Sequence, residues 1–187
     1  SPLREIASRP NTKLFRLKRE GYLFNLNNFV FGREAISLNG DLIKNLIVND
    51  TENSGNWSIY KEIQVGSEMY GDRTDVTYSV LPAPLAGVEY IQTACDSKNY
   101  TDNLAEFTAA EDITVYVALD ARVATVPAWL SSWTKTDITI ENSKGVLFYV
   151  YSKNAAKNET VVLGANGQSS GCVGYTVFAV KQSESVT

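Results

Sequence analysis

Apolar and polar residues alternate with a period of two along much of this chain. In ITVYVALDA the pattern puts Val115, Val117 and Leu119 on one face and Tyr116, Ala118 and Asp120 on the other, with Arg122 continuing the second face. Stretches of the same kind occur at WSIYKEIQV, DVTYSVL, VEYIQTA, AEFTA, TDITIE, VLFYVYSK, ETVVLG and VGYTVFAV, each bounded by Gly, Asn, Asp or Ser. AISLNGDLIKNLIV carries Asn39-Gly40 between two apolar stretches, a strong local signal for a hairpin. Helical periodicity is hard to find. Many short strands without intervening helices predict an all-β fold, an antiparallel β-sandwich that is jelly-roll-like, with a barrel as the other closed solution.

The pattern also divides the chain. Residues 39–181 form the sandwich module, and 182–187, the polar QSESVT end, are expected to fray. Residues 1–38 contain the aromatic run KLFRLKREGYLFNLNNFVF and read as an N-terminal extension or as strands of a preceding module. At 187 residues the chain has room for one sizeable core.

Composition narrows the chemistry. There is no histidine, which removes Ser-His and Cys-His catalysis and imidazole metal ligands. Cys95 and Cys172 are too few for a structural zinc site, and they form either one long-range disulfide or two small buried hydrophobes. Residues 1–19 hold six basic groups against Glu5, a net +5, whereas the remainder carries −9 for a total of −4. An acidic body repels phosphate backbones, so no nucleic acid partner is expected, and the apolar runs are too short for a membrane span. The opening SPLREIASRP lacks a signal-peptide pattern, which is uninformative for a piece cut from a larger precursor. Asp50, Glu111 and Asp112 beside turns are the oxygen donors a structural calcium ion would use, but EF-hand spacing is missing and no cofactor is expected.

Three stretches place an acid just before a base: Asp72-Arg73, Asp96 and Lys98, and Asp120 and Arg122. In EYIQTACDSK continued alternation would put Tyr90, Gln92, Ala94, Asp96 and Lys98 on one face. An aromatic plane beside carboxylates and cations suits a hydroxyl-rich ligand. The same pairs serve equally as ion pairs that fix loops. PAWLSSW reads as a short helical turn that stacks Trp129 and Trp133 on one side, either plugging the sandwich or meeting a ligand. The glycine-rich LGANGQSSGCVG joins two strands and reads as a loop, not a phosphate cradle.

Tyr70-Gly-Asp-Arg73, the block Tyr90 to Lys98, the strand Tyr116 to Arg122 and the turn Pro127 to Leu130 occur in the order seen in an accessory module of bacterial polysaccharide-degrading enzymes. Residues 44–181 resemble that module, which is found beside catalytic domains, including those of pectin and rhamnogalacturonan lyases. Tyr90 stands where the pattern has Trp, and Cys95 where it has Asn. The resemblance implies a secreted, extracellular, noncatalytic β-sandwich that binds a plant cell-wall polysaccharide, pectic or hemicellulosic, for a catalytic domain in the same parent chain. Tyr70, Asp72, Arg73, Asp96, Lys98, Asp120, Arg122 and Trp129 are the candidate ligand contacts. A structural spacer without a glycan ligand, and a small carboxylate- or lyase-type enzyme, are the alternatives.

Overall fold

A computed structural model describes residues 38–183 and, before them, only the backbone of Leu23–Phe24. Expectations about the rest of 1–37 and about 184–187 lie outside the described residues. The strands form two sheets. In the smaller, β1 (Leu23–Phe24), β2 (Leu38–Asn39), β3 (Ile43–Val48), β8 (Ala105–Ala109) and β12 (Thr160–Leu163) lie side by side in that order. The larger has eight strands. They are, in spatial order, β4 (Ser58–Tyr60), β7 (Glu89–Gln92), β13 (Thr176–Lys181), β9 (Ile113–Asp120), β11 (Leu147–Ala155), β10 (Thr134–Asn142), β6 (Arg73–Val80) and β5 (Glu68–Tyr70). The paired strands are antiparallel, and the chain passes repeatedly from one sheet to the other, as at β3–β4, β7–β8, β8–β9, β11–β12 and β12–β13. The fold is therefore the all-β antiparallel sandwich that the alternation implies.

The period-two pattern sorts residues between two cores. Val115, Val117 and Leu119 of β9, with Val177 and Ala179 of β13 and Ile91 of β7, face the smaller sheet and meet Ile43, Leu46, Phe107 and Val161. Ala118, Phe178 and Tyr90, from the same three strands, point the other way. That second face was expected to be partly polar and open to ligand. It is instead the wall of a second core, filled by Met69, Tyr70, Val76, Tyr78, Leu85, Ile140, Phe148 and Val150. The reason is curvature. The large sheet twists until β5, at one end of the strand order, comes back against β7 near the other, through a parallel Tyr70–Thr93 bridge. Alternation marks which residues share a face but not whether the sheet rolls up to bury both.

The Asn39-Gly40 signal does mark the turn between β2 and β3, where Leu38 pairs with Leu46. It is wider than a two-residue turn because Gly40 N–H donates to the carbonyl of Ile43 (2.6 Å). The amides of Asp41, Leu42 and Ile43 all point at the carboxylate of Glu89 on β7 (2.6, 3.1 and 2.8 Å), so a buried acid of one sheet staples a turn of the other. Gly40 is required there, since a Cβ would collide with that carboxylate. At the C-terminal end Gln182, assigned to the frayed tail, is pinned: its N–H donates to the Asp112 carbonyl and its amide to the Ile113 carbonyl.

Candidate functional site

Asp72 lies in the turn from β5 to β6, and its carboxylate accepts the amides of Cys95 (2.7 Å) and Asp96 (2.9 Å). It thereby caps the 3-10 turn Cys95–Asn99. This turn is where the expected face of Tyr90 to Lys98 breaks off: β7 ends at Gln92, and Asp96 and Lys98 lie beyond the strand. The turn also re-pairs the charges. Arg73 donates to Asp96 at 2.6 Å, while it stands 3.4 Å from Asp72 Oδ2. Lys98 donates to the backbone carbonyl of Cys172 (2.8 Å), so the expected Asp96–Lys98 couple is not formed. Gly71 is fixed by space: a Cβ would run into the backbone carbonyl of Asn56.

Asp120 ends β9 on the face of Ala118. Its side chain is wholly buried, yet it accepts from the Arg122 amide (2.9 Å), Arg122 Nε (3.0 Å), Arg122 Nη2 (2.7 Å) and the Val173 amide (2.8 Å). Burial pushes its carboxyl up, but the hydrogen bonds from Arg122 and Val173 outweigh burial and hold it below the ordinary carboxylate range. The side-chain hydrogen bonds that Arg122 donates to Asp120 raise Arg122 in turn, and its side chain stays 51% exposed.

Trp129 stands on the 3-10 turn Ala128–Ser132, edge-on to Trp133 (5.6 Å) and tilted against Tyr175 (5.5 Å). Its indole N–H donates to the Ala165 carbonyl (2.8 Å), and its ring occupies the space a side chain at Gly164 would need. Tyr70 is fully buried, with its hydroxyl donating to the Gly174 carbonyl (2.6 Å), and burial drives its pKa far up. It offers no surface to a ligand.

A common anchor emerges. Tyr70, Lys98, Asp120 and Trp129 each bond the backbone of the 164–175 segment, and Asp72, Arg73, Asp96 and Arg122 reach it through the 95–99 turn or through Asp120. The glycine-rich stretch read as a plain loop is the hub of the candidate site. Only the segment's carbonyls and amides make it so, which residue types do not reveal. Asn166 holds it from within, donating to the Gln168 carbonyl (2.8 Å) and accepting the Tyr175 amide (3.2 Å). Of the eight candidates, Tyr70 and Asp120 are sealed and Asp72 nearly so, whereas Arg73, Asp96, Lys98, Arg122 and Trp129 retain water-facing atoms.

Both cysteines are buried free thiols, raised by burial. Asp50 accepts from Asn53 and from Ser97, whose hydroxyl in turn accepts the Trp57 indole N–H; Asp112 accepts the Lys157 amide, and Glu111 lies 3.7 Å from Lys157 Nζ. Among the described residues no three acidic or thiol side chains gather as a metal site. A concavity of about 390 Å³, lined by Tyr60, Ser67, Glu68, Tyr90 and Gln92, was not foreseen as a site. Its sequence trace is faint, because Ser67 precedes and Glu68 begins a three-residue strand too short for alternation to register.

Neither a protein-family model nor a curated protein sequence matches the chain. Among solved structures it is similar to a β-glucuronidase from glycoside hydrolase family 2, with a TM-score of 0.69 and 21% identity over 78% of this chain. The chain spans only 15% of that enzyme's length. At this identity the likeness shows the fold, an antiparallel β-sandwich.

Proposed function

We propose that this chain is a noncatalytic accessory module, secreted with a catalytic domain in the same parent chain, that holds a plant cell-wall polysaccharide of pectic or hemicellulosic type near that domain. The observation that carries this reading is the gathering of Arg73, Asp96, Lys98, Arg122 and Trp129 around one loop with part of each side chain open to water. Cations and a carboxylate on a braced loop exchange hydrogen bonds with sugar hydroxyls without first being ordered, and a partly exposed indole covers the C–H face of a ring. A sandwich similar to a segment of a β-glucuronidase supports a carbohydrate-related setting. The gain would be local concentration: a weak module tethered to an enzyme raises its occupancy on an insoluble chain.

A second reading, a structural spacer, draws on the burial of Tyr70 and Asp120 and on the internal neutralisation of Asp120 by Arg122. Affinity electrophoresis and isothermal titration against polygalacturonate, rhamnogalacturonan, xylan and glucan separate the two. Arg73→Gln is the informative variant, because the Arg73 side chain is 42% exposed and its loss costs little stability. Retardation without product, weakened about tenfold or more in Arg73→Gln, supports the module. Silence across the panel leaves the spacer, and released product makes the chain an enzyme.

A further inference from the structure

The large sheet rolls up without closing fully. β5 meets β7 through the Tyr70–Thr93 bridge, with Gly71 N–H donating to the Thr93 carbonyl (2.9 Å). Two residues earlier the backbone ladder is replaced by side chains. The Gln92 amide stands 3.4 Å from both the carbonyl and Oε2 of Glu68, and the Tyr90 hydroxyl donates to the same carbonyl at 3.3 Å. The 390 Å³ concavity opens at this seam, within the range of roughly 300–1,000 Å³ usual for small-ligand sites. Tyr90 and Gln92 are buried beneath it, whereas Tyr60, Ser67 and Glu68 are half-buried and meet the opening.

From this geometry we infer that the β5–β7 seam is a second glycan subsite, one that takes an uncharged pyranose in preference to a uronate; the inference rests on the carbohydrate reading above. Tyr60 lies on β4, at one end of the strand order among the described residues, and its ring stacks on Tyr90 (centroids 5.7 Å apart, planes 28° apart). Backed by the buried Tyr90, the half-buried Tyr60 is the ring that would meet the C–H face of a sugar. Glu68, steadied by Gln92, offers two acceptor oxygens to adjacent hydroxyls, a charge-assisted arrangement that a neutral ring satisfies with its own donors. A uronate would bring a second carboxylate beside Glu68, and like charges at such range disfavour it by about tenfold. Lys61, next to Tyr60 in the chain, is engaged with Asp41 at 2.8 Å. Glu68 is the charged group lining the seam, whereas around the 164–175 segment the cations Arg73, Lys98 and Arg122 stand among Asp72, Asp96 and Asp120, so a mixed polysaccharide could be gripped at neutral and acidic sugars by different parts of one module.

The test is isothermal titration of the full chain with xylohexaose, cellohexaose and hexagalacturonate at low salt, in wild type, Tyr60→Ala and Glu68→Gln. Binding of a neutral hexaose should fall about tenfold or more in Tyr60→Ala. Glu68→Gln should shift the ratio of neutral to hexagalacturonate affinity about tenfold towards the acid, a change in selectivity that a mere loss of fold does not produce. Neutral-hexaose affinity and selectivity both untouched by the two variants, together with loss of binding in Arg73→Gln, would overturn the seam and leave the proposed function standing. No binding of any of the three probes or of the larger polysaccharides would overturn both.

Discussion

Asp120→Ala should destabilise the fold several times more than Arg122→Ala, although the two residues form one ion pair. The Asp120 side chain is wholly buried and accepts from four donor groups, one of them the Val173 amide in the 164–175 segment. Its removal strands both the Arg122 and the Val173 amides at about 1–3 kcal/mol each, while the half-exposed guanidinium keeps its water, a loss of about 3–5 kcal/mol in all. Arg122 is half exposed, and without its side chain Asp120 still accepts two backbone amides; the loss should be about 1–2 kcal/mol. Urea unfolding at pH 7, followed by the fluorescence of Trp57, Trp129 and Trp133, measures both. A direction with pH follows as well. Because the folded carboxyl is held below its ordinary range, its contribution is complete above about pH 3.9, the unfolded value, and disappears as the pH falls through the lower folded value. Asp120→Asn should therefore lose less stability than wild type between pH 7 and acid. Equal costs for the two alanine variants, or a cost below about 1 kcal/mol for Asp120→Ala, would refute the reasoning.

Glu89→Gln leaves one acceptor oxygen where two now receive the amides of Asp41, Leu42 and Ile43 and turns an NH2 group towards one of them; a loss of about 1–3 kcal/mol in urea unfolding is expected, and a neutral result would show the staple to be idle. Cys95 and Cys172, buried with their thiols raised, should react with a thiol-specific disulfide reagent far more slowly in the native protein than in urea, and equal rates would contradict their burial.

Much of the fold was legible because alternation is a local property. AEFTA became β8, ITVYVALDA became β9 and VLFYVYSK became the greater part of β11. What alternation could not carry was the third dimension. Tyr116, Ala118 and Asp120 share a face as expected, but whether that face meets water depends on the curl that brings β5 round to β7. The acid–base spacing drew attention to the right residues and partly to the wrong pairs. Asp96 reaches Arg73 across 23 positions in preference to Lys98, because Asp72 caps the 95–99 turn and turns Lys98 to the Cys172 carbonyl. Hydrogen bonds to backbone leave no mark on residue identity, so the 164–175 hub was read as a connector. The Tyr60–Glu68 seam was hidden for a related reason, since Glu68 on β5 meets β7 there through the side chains of Tyr90 and Gln92.

Residue-resolved NMR offers the most direct test of the claim that the braced loop presents a sugar-binding surface. A titration with oligogalacturonate and with xylo-oligosaccharide would follow the Trp129 indole N–H, the Nε–H groups of Arg73 and Arg122, and the backbone amides from 164 to 175. The account requires saturable shifts concentrated at those groups, with the buried Asp120–Val173 contact preserved. Spectra that stay unchanged to millimolar glycan, or shifts confined to surfaces away from both the loop and the seam, would contradict it.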